Sequence, residues 1–311
     1  KMNKKTYLIE KAEKGLTIQQ YLKQIAGFSN AQIRSMKFTE NGICLGGQRA
    51  RVTTRLSEGD VLEVLLETKN SSSAHLLSFE QMPDILYEDA DVIAVNKPAG
   101  MAVHPSHGHY QDTLANQLAY YFRKNTQQVE IHSIGRLDLE TSGIVLFAKH
   151  RAAAARLSRQ REDGRLQKTY LAICSGIFAE KNGTLNGAIA PLPGSLMKMC
   201  VSKDGKPAVT HYQVQKQYME AALVRLTLET GRTHQIRVHM ADAGHPLIGD
   251  RLYFADTDQK ADVDAENCFT GIKRAALHAS RICFYQPFEG KRITVEAPFP
   301  EDMKKCLFRD E

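Results

Sequence analysis

The sequence has 311 residues, of which 42% are apolar and 24% charged, and these values exclude collagen-like and wholly disordered chains. This length allows one large domain and a small second one. The net charge is +6, and residues 1–70 hold 8 Lys and 4 Arg against 7 acids, so most of the positive excess lies near the N-terminus. Such an excess fits either a polyanionic partner such as RNA or a merely solvated face.

The chain has no sequence feature of a membrane or secreted protein. No apolar run approaches the roughly 20 residues that span a bilayer, and the N-terminal stretch carries charge where a signal peptide would be apolar. Six cysteines are scattered without a CxxC pair, which is typical of free thiols in a reducing compartment. We expect a cytoplasmic protein, and a monomer because nothing in the sequence demands more.

The first 67 residues predict a small module of two helices followed by strands. Apolar positions in residues 15–28 and 31–38 recur at helical spacing, whereas those in 43–45 and 61–65 alternate as in strands. Residues 68–80 begin with a Ser-rich tract without periodicity, which predicts a linker. The boundaries are therefore a module at 1–67, a linker at 68–80 and a main domain at 81–311.

The main domain mixes two periodicities. The strand-like runs DVIAV, IVLFAK, KTYLAIC, ALVRLTLE and RITVEA alternate with the helix-like runs TLANQLAYYFRKN, HRAAAARLSRQRE and HQIRVHMADAG. This pattern predicts an α/β (α+β) fold with a mixed, largely antiparallel sheet flanked by helices.

The segment GRLDLETSG, residues 135–143, predicts a loop that opens into a strand. In extended backbone, Arg136 and Asp138 would project to the same side and line one cleft, and the guanidinium would keep the carboxylate ionised. The hydroxyl of Thr141 suits a turn that fixes the loop. The alternative is a surface Arg and Asp in a turn, the more common fate of such residues taken singly.

The segment GRTHQIRVHMADAGHPLIGD, residues 231–250, combines Arg, His and Gln beside apolar positions. Thr233 is the expected N-cap of a helix that begins at His234, from whose first turn Arg237 would point into a cleft. Histidines 234, 239 and 245 raise the question of a metal site. Their spacings match neither HExxH nor a Cys/His finger, so we expect no metal.

Two further segments supply candidate residues. The strand DVIAV runs into Asn96-Lys97-Pro98, which places Lys97 and His104 in a loop at the strand's end, where solvated or internally bonded side chains are the alternative. Tyr170 lies in the strand QKTYLAI, where a tyrosine usually packs in the core.

Together these segments resemble the RluA-type pseudouridine synthases, bacterial enzymes that modify ribosomal and transfer RNA. The blocks DVIAVNKPAGMAVHP, GRLDLETSGIVLFAK, KTYLAI and GRTHQIRVHMADAGHPLIGD occur in the family's order and spacing between about residues 80 and 300. The resemblance implies the pseudouridine synthase fold and an RNA substrate. We expect large-subunit ribosomal RNA in preference to transfer RNA.

The resemblance also implies roles for individual residues. Asp138 would be the essential catalytic residue, Tyr170 would stack on the target base, Arg237 would pair with the aspartate, and Arg136 would help to displace the flipped nucleotide. Further contacts to RNA or substrate are expected from Lys97, His104, Thr141, His234 and Gln235. One departure concerns Gly135, because many relatives carry His before RLD.

The N-terminal module resembles the αL RNA-binding domain found ahead of some family members. Its ending RLSEGDVLEV matches well, whereas Ser29-Asn30 replaces the usual Ser-Arg pair and Leu45-Gly46-Gly47 the usual Val-Asn-Gly turn. Arg34 and Lys37, together with Arg49 and Arg51, are the expected phosphate contacts.

The implied reaction cuts the N1 glycosidic bond of uridine and joins C5 of the uracil to the same sugar carbon, so no atom is gained or lost and we expect no cofactor. The carboxylate would either attack C1′ or take a proton from C2′, and the sequence leaves both routes open. The nucleotide must be extruded at a cost of a few kcal/mol, about what stacking on Tyr170 would offset.

Two other classes of function also fit these residues: a hydrolase and a non-catalytic RNA-binding protein. Asp138 and Glu140 form a carboxylate pair of the kind that nucleoside and glycoside hydrolases use. A non-catalytic RNA-binding or ribosome-assembly factor would keep the fold for its shape alone.

Overall fold

The computed structural model describes residues 4–66, 76–106, 108–127, 129–254 and 272–307. Most of the predicted linker at 68–80 lies outside these ranges. Within them, no helix combines the length and apolarity that a membrane span requires.

Residues 4–66 form an antiparallel sheet of four strands, in the order β1-β4-β2-β3, with two helices. The elements are β1 (Lys4–Leu8), α1 (Ile18–Gln24), α2 (Asn30–Phe38), β2 (Ile43–Leu45), β3 (Gln48–Arg49) and β4 (Val61–Leu65). Both helices and strands β2 and β4 confirm the sequence prediction. The sequence pattern missed β1, because this edge strand is rich in Lys and buries no residue fully.

The two helices begin at capping boxes. The hydroxyl of Thr17 accepts from the amide of Gln20, whose side chain accepts from the amide of Thr17. Ser29 and Gln32 make the same exchange at the start of α2. These reciprocal bonds satisfy amides that a helix leaves unpaired at its N-terminus.

Twelve further strands follow in the rest of the described chain: two of them, β11 and β12, pair with each other in a small separate sheet, and the other ten form one large sheet with helices packed on it. Its strand order is β10-β13-β14-β9-β15-β8-β6-β5, with β16 paired to β15 and β7 to β8. The elements are β5 (Ile85–Glu88), β6 (Val92–Lys97), α3 (Leu114–Lys124), β7 (His132–Ser133), β8 (Ser142–Ala148), α4 (Arg151–Glu162), β9 (Gln167–Ser175), β10 (Asn182–Leu185), β11 (Ile189–Pro191), β12 (Met199–Val201), β13 (Thr210–Gln217), β14 (Ala221–Leu228), α5 (Gln235–Asp242), β15 (Leu277–Tyr285), β16 (Arg292–Glu296) and α6 (Glu301–Leu307).

The predicted fold class is confirmed. The pairing of β15 with β8 is parallel, and the other pairs in this sheet are antiparallel. Strand β8 is buried along its whole length, as its continuous apolar run requires.

Strand β15 brings two predicted motifs together. Its Ala279 pairs with Gly143 at the start of β8 on one side and with Tyr170 in the middle of β9 on the other. Gly143 has φ +107°, and a Cβ there would lie 2.3 Å from the carbonyl oxygen of Ala279. Only glycine allows the strands to approach this closely, which fixes the distance between the loop before β8 and Tyr170.

The N-terminal module packs against α4. The guanidinium carbon of Arg156 lies 4.0 Å from the ring centroid of Phe288 and 5.2 Å from that of Phe28. The same side chain donates to the carbonyl of Pro287 at 2.6 Å. Cation–π contacts of this kind strengthen when the cation is withdrawn from water, so Arg156 joins the module to the large sheet.

Candidate active site

Asp138 lies in the loop between β7 and β8, as the sequence predicts. The amide of Thr141 donates to the carbonyl of Asp138 at 3.1 Å and closes a turn. Leu137 is buried in the main core, Asp138 is half-buried and Arg136 is exposed. The buried leucine and the turn therefore anchor a loop whose carboxylate stays accessible.

Side chains from distant segments lie within electrostatic reach of Asp138. Burial first, and then the charge of Asp138, raises the pKa of Tyr170 far above its usual value. Burial lowers the pKa of His234, and Asp138 opposes that shift. Tyr170 on β9 and His234 before α5 therefore lie close enough to Asp138 to feel its charge.

Arg237 does not pair with Asp138, which corrects the expected ion pair. Its Nε and Nη2 atoms donate to the two carboxylate oxygens of Asp250, both at 2.7 Å, and Nη2 lies 3.7 Å from Glu140. Asp250 is 1% exposed and also accepts from the amides of Leu252 and Tyr253. This carboxylate matches the planar fork of arginine with two parallel bonds, so it takes the guanidinium.

Asp138 nevertheless acts on Arg237 through its charge, although the two side chains are not paired. Burial lowers the pKa of Arg237, but the hydrogen bonds and charge of Asp250, followed by Asp138 and Glu140, raise it overall. Arg237 is thus a permanent cation close to Asp138 that is neutralised by another acid. Asp250 is not apparent from the sequence motifs, where the only signal for it is an acid at the end of the largely apolar segment HPLIGD.

The N-terminus of α5 differs from the prediction by one residue. His234, not Thr233, is the N-cap, and it makes no capping hydrogen bond with its side chain. Its φ of +56° lies in the left-handed region, which costs energy for a residue other than glycine and is common at functional sites. The imidazole Nδ1 lies 2.9 Å from the hydroxyl of Tyr253.

Thr233 instead ties α5 to the loop of Asp138. Its hydroxyl accepts a hydrogen bond of 2.7 Å from Nη2 of Arg136. Arg136 remains exposed, so it is held at the rim of the site.

Lys97 does not contact RNA, because its side chain is fully buried. Its Nζ atom donates to the carbonyls of Pro98, Met101 and Leu139 at 2.9, 2.8 and 3.1 Å. Burial lowers the pKa of Lys97 to about 7, but donation to three carbonyls requires the ammonium form. Lys97 therefore positions the Asp138 loop from behind.

Gln235 and Thr141 are also too buried to bind RNA. Gln235 is 3% exposed; its amide group donates to the carbonyl of Val209 and accepts from the amide of Arg232, which fixes the turn before α5. Thr141 is 2% exposed and belongs to the turn that orients Asp138. The sequence identified these residues as part of the site but assigned them the wrong role.

The other residues predicted to contact RNA are at least partly exposed to solvent. His104 is half-buried; its imidazole is hydrogen-bonded to the hydroxyl of Ser133, and burial lowers its pKa. Arg34 and Lys37 are exposed on α2, so their contacts with RNA stay predictions.

Arg274 is a second residue that the sequence reasoning missed. Its guanidinium donates to the carbonyls of Glu140, Ala275 and Leu277 and is paired with Asp302 at 2.7 Å. Arg274 therefore fixes the loop of Asp138 at the carbonyl of Glu140, and Lys97 fixes it at the carbonyl of Leu139. An arginine shortly before the LHA of β15 is the only sequence signal.

Several known proteins that are similar to this chain are named as pseudouridine or pseudouridylate synthases. A family model described as RNA pseudouridylate synthase matches residues 91–242. The uncharacterized RNA pseudouridine synthase YhcT of Bacillus subtilis is 39% identical over 251 residues, which cover 80% of this chain and 78% of that protein. YjbO of the same species is 36% identical and covers 94% of this chain and 98% of its own length.

A relative with a named substrate and a solved structure extend the comparison. The ribosomal large subunit pseudouridine synthase D of Neisseria meningitidis serogroup A is 38% identical over 267 residues, 85% of this chain and 67% of that protein. The structure of human RNA pseudouridylate synthase domain containing 1 aligns with a TM-score of 0.56 at 27% identity, covering 77% of this chain and 90% of that one.

Proposed function

The chain belongs to the RNA pseudouridylate synthase family and is an isomerase, and from that premise we propose that Asp138 is its catalytic carboxylate. The observation that carries this proposal is the convergence of Tyr170, His234 and Arg237 on the half-buried Asp138. These residues come from three segments far apart in the chain.

Asp138 is free to react because Arg237 is already neutralised. A carboxylate locked in a two-hydrogen-bond ion pair with arginine would have to break that pair before attacking a sugar. Asp250 occupies the guanidinium instead, at 2.7 Å. The carboxylate of Asp138 would then either attack C1′ while N1 of uracil leaves, or take the proton from C2′. In the first route C5 of the retained uracil displaces the carboxylate from C1′; in the second, N1 also leaves, and C5 joins C1′ as the proton returns to C2′. In both, C5 loses its hydrogen and N1 gains a proton, so no atom is gained or lost overall.

Tyr170 would hold the uracil. The residue lies at the centre of the sheet and is 7% exposed. Its hydroxyl is neutral at physiological pH, and burial raises its pKa further above the ordinary value of about 10. A base must leave its stack to reach Asp138, and stacking on an aromatic ring offsets that cost. Arg136, which is exposed and donates to Thr233, would occupy the position that the nucleotide leaves.

Hydrolysis is not favoured by the geometry of Glu140. Its carboxylate accepts from the amide of Ala275 at 3.2 Å and lies 3.7 Å from Arg237. A second carboxylate engaged in this way does not offer the free base that hydrolysis requires. The uracil would be rejoined rather than released.

The proposed substrate is large-subunit ribosomal RNA. It is supported by the named activity of relatives 35–38% identical to this chain, and by a separate module, proposed as residues 1–67 with a linker at 68–80, that presents Arg34 and Lys37 to solvent. We place the protein in the cytoplasm as a monomer. Phosphate contacts through this module would add affinity without reading sequence.

Mapping pseudouridines across total RNA tests the proposal. Cells that lack the protein should lose pseudouridine at one or a few positions of large-subunit ribosomal RNA. Wild-type protein should restore these positions and Asp138→Asn should not. Loss confined to transfer RNA would contradict the substrate, and restoration by the variant would contradict the role of Asp138.

A further inference from the structure

Two cations from different elements converge beside the loop of Asp138. Arg161 lies near the end of α4, and Lys168 is the second residue of β9. A Cβ atom built on Gly135 would lie 3.3 Å from Nη1 of Arg161 and 3.9 Å from Nζ of Lys168. Both cations therefore reach the same point next to the backbone of Gly135.

These cations have no counter-charge in the part of the chain that the structure describes. The ion pairs among those residues include neither Arg161 nor Lys168. Burial first, and then the charge of Arg161, lowers the pKa of Lys168 to about 8. Arg165, which lies between α4 and β9, is paired with Asp163 at 2.6 Å. Arg161 and Lys168 thus repel each other where an anion would relieve both.

Gly135 keeps the point between the two cations open. Its φ of +82° is costly for residues with a side chain. A side chain would also begin 3.3 Å from the guanidinium of Arg161, inside ordinary contact distance. With no side chain at residue 135, both cations come close to the same partly exposed stretch of backbone.

We infer that Gly135, Arg161 and Lys168 form a phosphate seat, which binds one phosphodiester of the substrate RNA beside the target nucleotide. Gly135 precedes Asp138 by three residues, so the seat lies at most about 11 Å from it along the backbone. An RNA strand presents a phosphate at every nucleotide, and such contacts fix its register on a protein. The inference rests on the proposed function and adds the residues that set the position of the strand.

Salt-dependent binding tests the phosphate seat. Arg161→Gln and Lys168→Met each remove one charge, and Arg165→Gln is the matched control because Asp163 already neutralises that arginine. Each protein is titrated with an unmodified transcript of large-subunit ribosomal RNA at several salt concentrations. Loss of one phosphate contact lowers the slope of log affinity against log salt by roughly 0.7–0.9. We expect this loss in both variants and an unchanged slope in the control.

The double variant tests whether both cations bind the same phosphate. If both cations bind one phosphate, the slope of log affinity against log salt should fall little further in the double variant Arg161→Gln, Lys168→Met than in either single variant. Wild-type slopes in both single variants, or slope losses that add in the double variant, would overturn the seat. Arg161 is exposed, so Arg161→Gln carries the test if Lys168→Met fails to fold.

Pseudouridine formation on the same transcript separates the two proposals. If wild-type protein forms pseudouridine while the variants keep its salt slope, the seat is wrong and the proposed function stands. If wild-type protein forms none, the proposed function fails whatever the slopes are.

Discussion

Arg237 and Asp250 form a buried ion pair with two hydrogen bonds of 2.7 Å each, 6% and 0% of their side chains being exposed. The pair places a fixed cation within electrostatic reach of Asp138 without binding it. Arg237, the residue expected to pair with Asp138, is therefore paired with Asp250 instead.

Asp250→Asn tests this arrangement. The amide removes the charge but keeps the shape, so Arg237 should turn toward Asp138 and Glu140 and pair with the proposed catalytic carboxylate. We expect the rate of pseudouridine formation in single-turnover assays to fall at least 10-fold. RNA affinity should stay within 2-fold, since the pair is buried.

Unfolding of the same variant provides the control. Breaking a buried ion pair from one side costs about 3–5 kcal/mol when the cation is left uncompensated. A smaller loss is expected here because Asp138 and Glu140 remain nearby. An unchanged single-turnover rate would show that Asp250 does not control Asp138.

Lys97→Met tests the support behind the loop. The substitution keeps much of the apolar stem but leaves the carbonyls of Pro98, Met101 and Leu139 without their donor. Unsatisfied buried groups cost about 1–3 kcal/mol each, so the free energy of unfolding should fall by roughly 3 kcal/mol or more in urea titrations. Activity should fall while RNA affinity is kept. If Lys97→Met binds RNA less well but unfolds like wild type, Lys97 contacts RNA and does not support the loop.

Gly143→Ala tests the close approach of β8 to β15. The new Cβ would lie 2.3 Å from the carbonyl oxygen of Ala279, at φ +107°. We expect a loss of at least about 3 kcal/mol in the free energy of unfolding. Gly164→Ala is the control, since φ is +75° there but no atom lies within 4 Å, and it should cost about 1–2 kcal/mol. Equal losses at the two positions would contradict the steric explanation.

His278 predicts a pH dependence of stability. The residue is 1% exposed, and burial, reinforced by the charge of Arg274, lowers its pKa to about 4. As pH falls from about 6.5 to about 4, the unfolded chain takes up a proton that the folded protein refuses, so the free energy of unfolding falls in this window. The loss is on the order of 3 kcal/mol and is complete below about pH 4.

His278→Gln should remove this contribution. Urea titrations between pH 7 and 4 should show a shallower decline for the variant than for wild type, because the other titrating groups are common to both. If the free energy of unfolding falls equally with pH in both proteins, His278 takes up its proton as readily in the folded protein as in the unfolded chain.

The sequence was most informative where a pattern reflects local chemistry. The apolar run before Lys149 predicted β8, and the helical spacing of apolar positions in residues 31–38 predicted α2. The motifs also identified Asp138, Tyr170 and Arg237 as neighbours. Periodicity missed β1 because an edge strand needs no apolar face, so KKTYL resembles a solvated segment.

Side-chain partners could not be predicted in the same way. Lys97 and Gln235 have polar side chains that suggest a surface, yet both are buried because backbone carbonyls and amides satisfy them. Asp250 and Lys168 acquire their roles only when the chain brings distant segments together. Spacing along a sequence does not show which acid a given arginine meets.

Asp138→Asn on unmodified large-subunit ribosomal RNA is the most direct test of the central claim. The amide keeps the size of the side chain but neither attacks C1′ nor accepts a proton from C2′. Single-turnover assays should detect no pseudouridine, while RNA affinity stays within 2-fold of wild type; Glu140→Gln, the neighbouring acid, should keep measurable activity. Pseudouridine formation by Asp138→Asn at a rate near that of wild type would contradict the account.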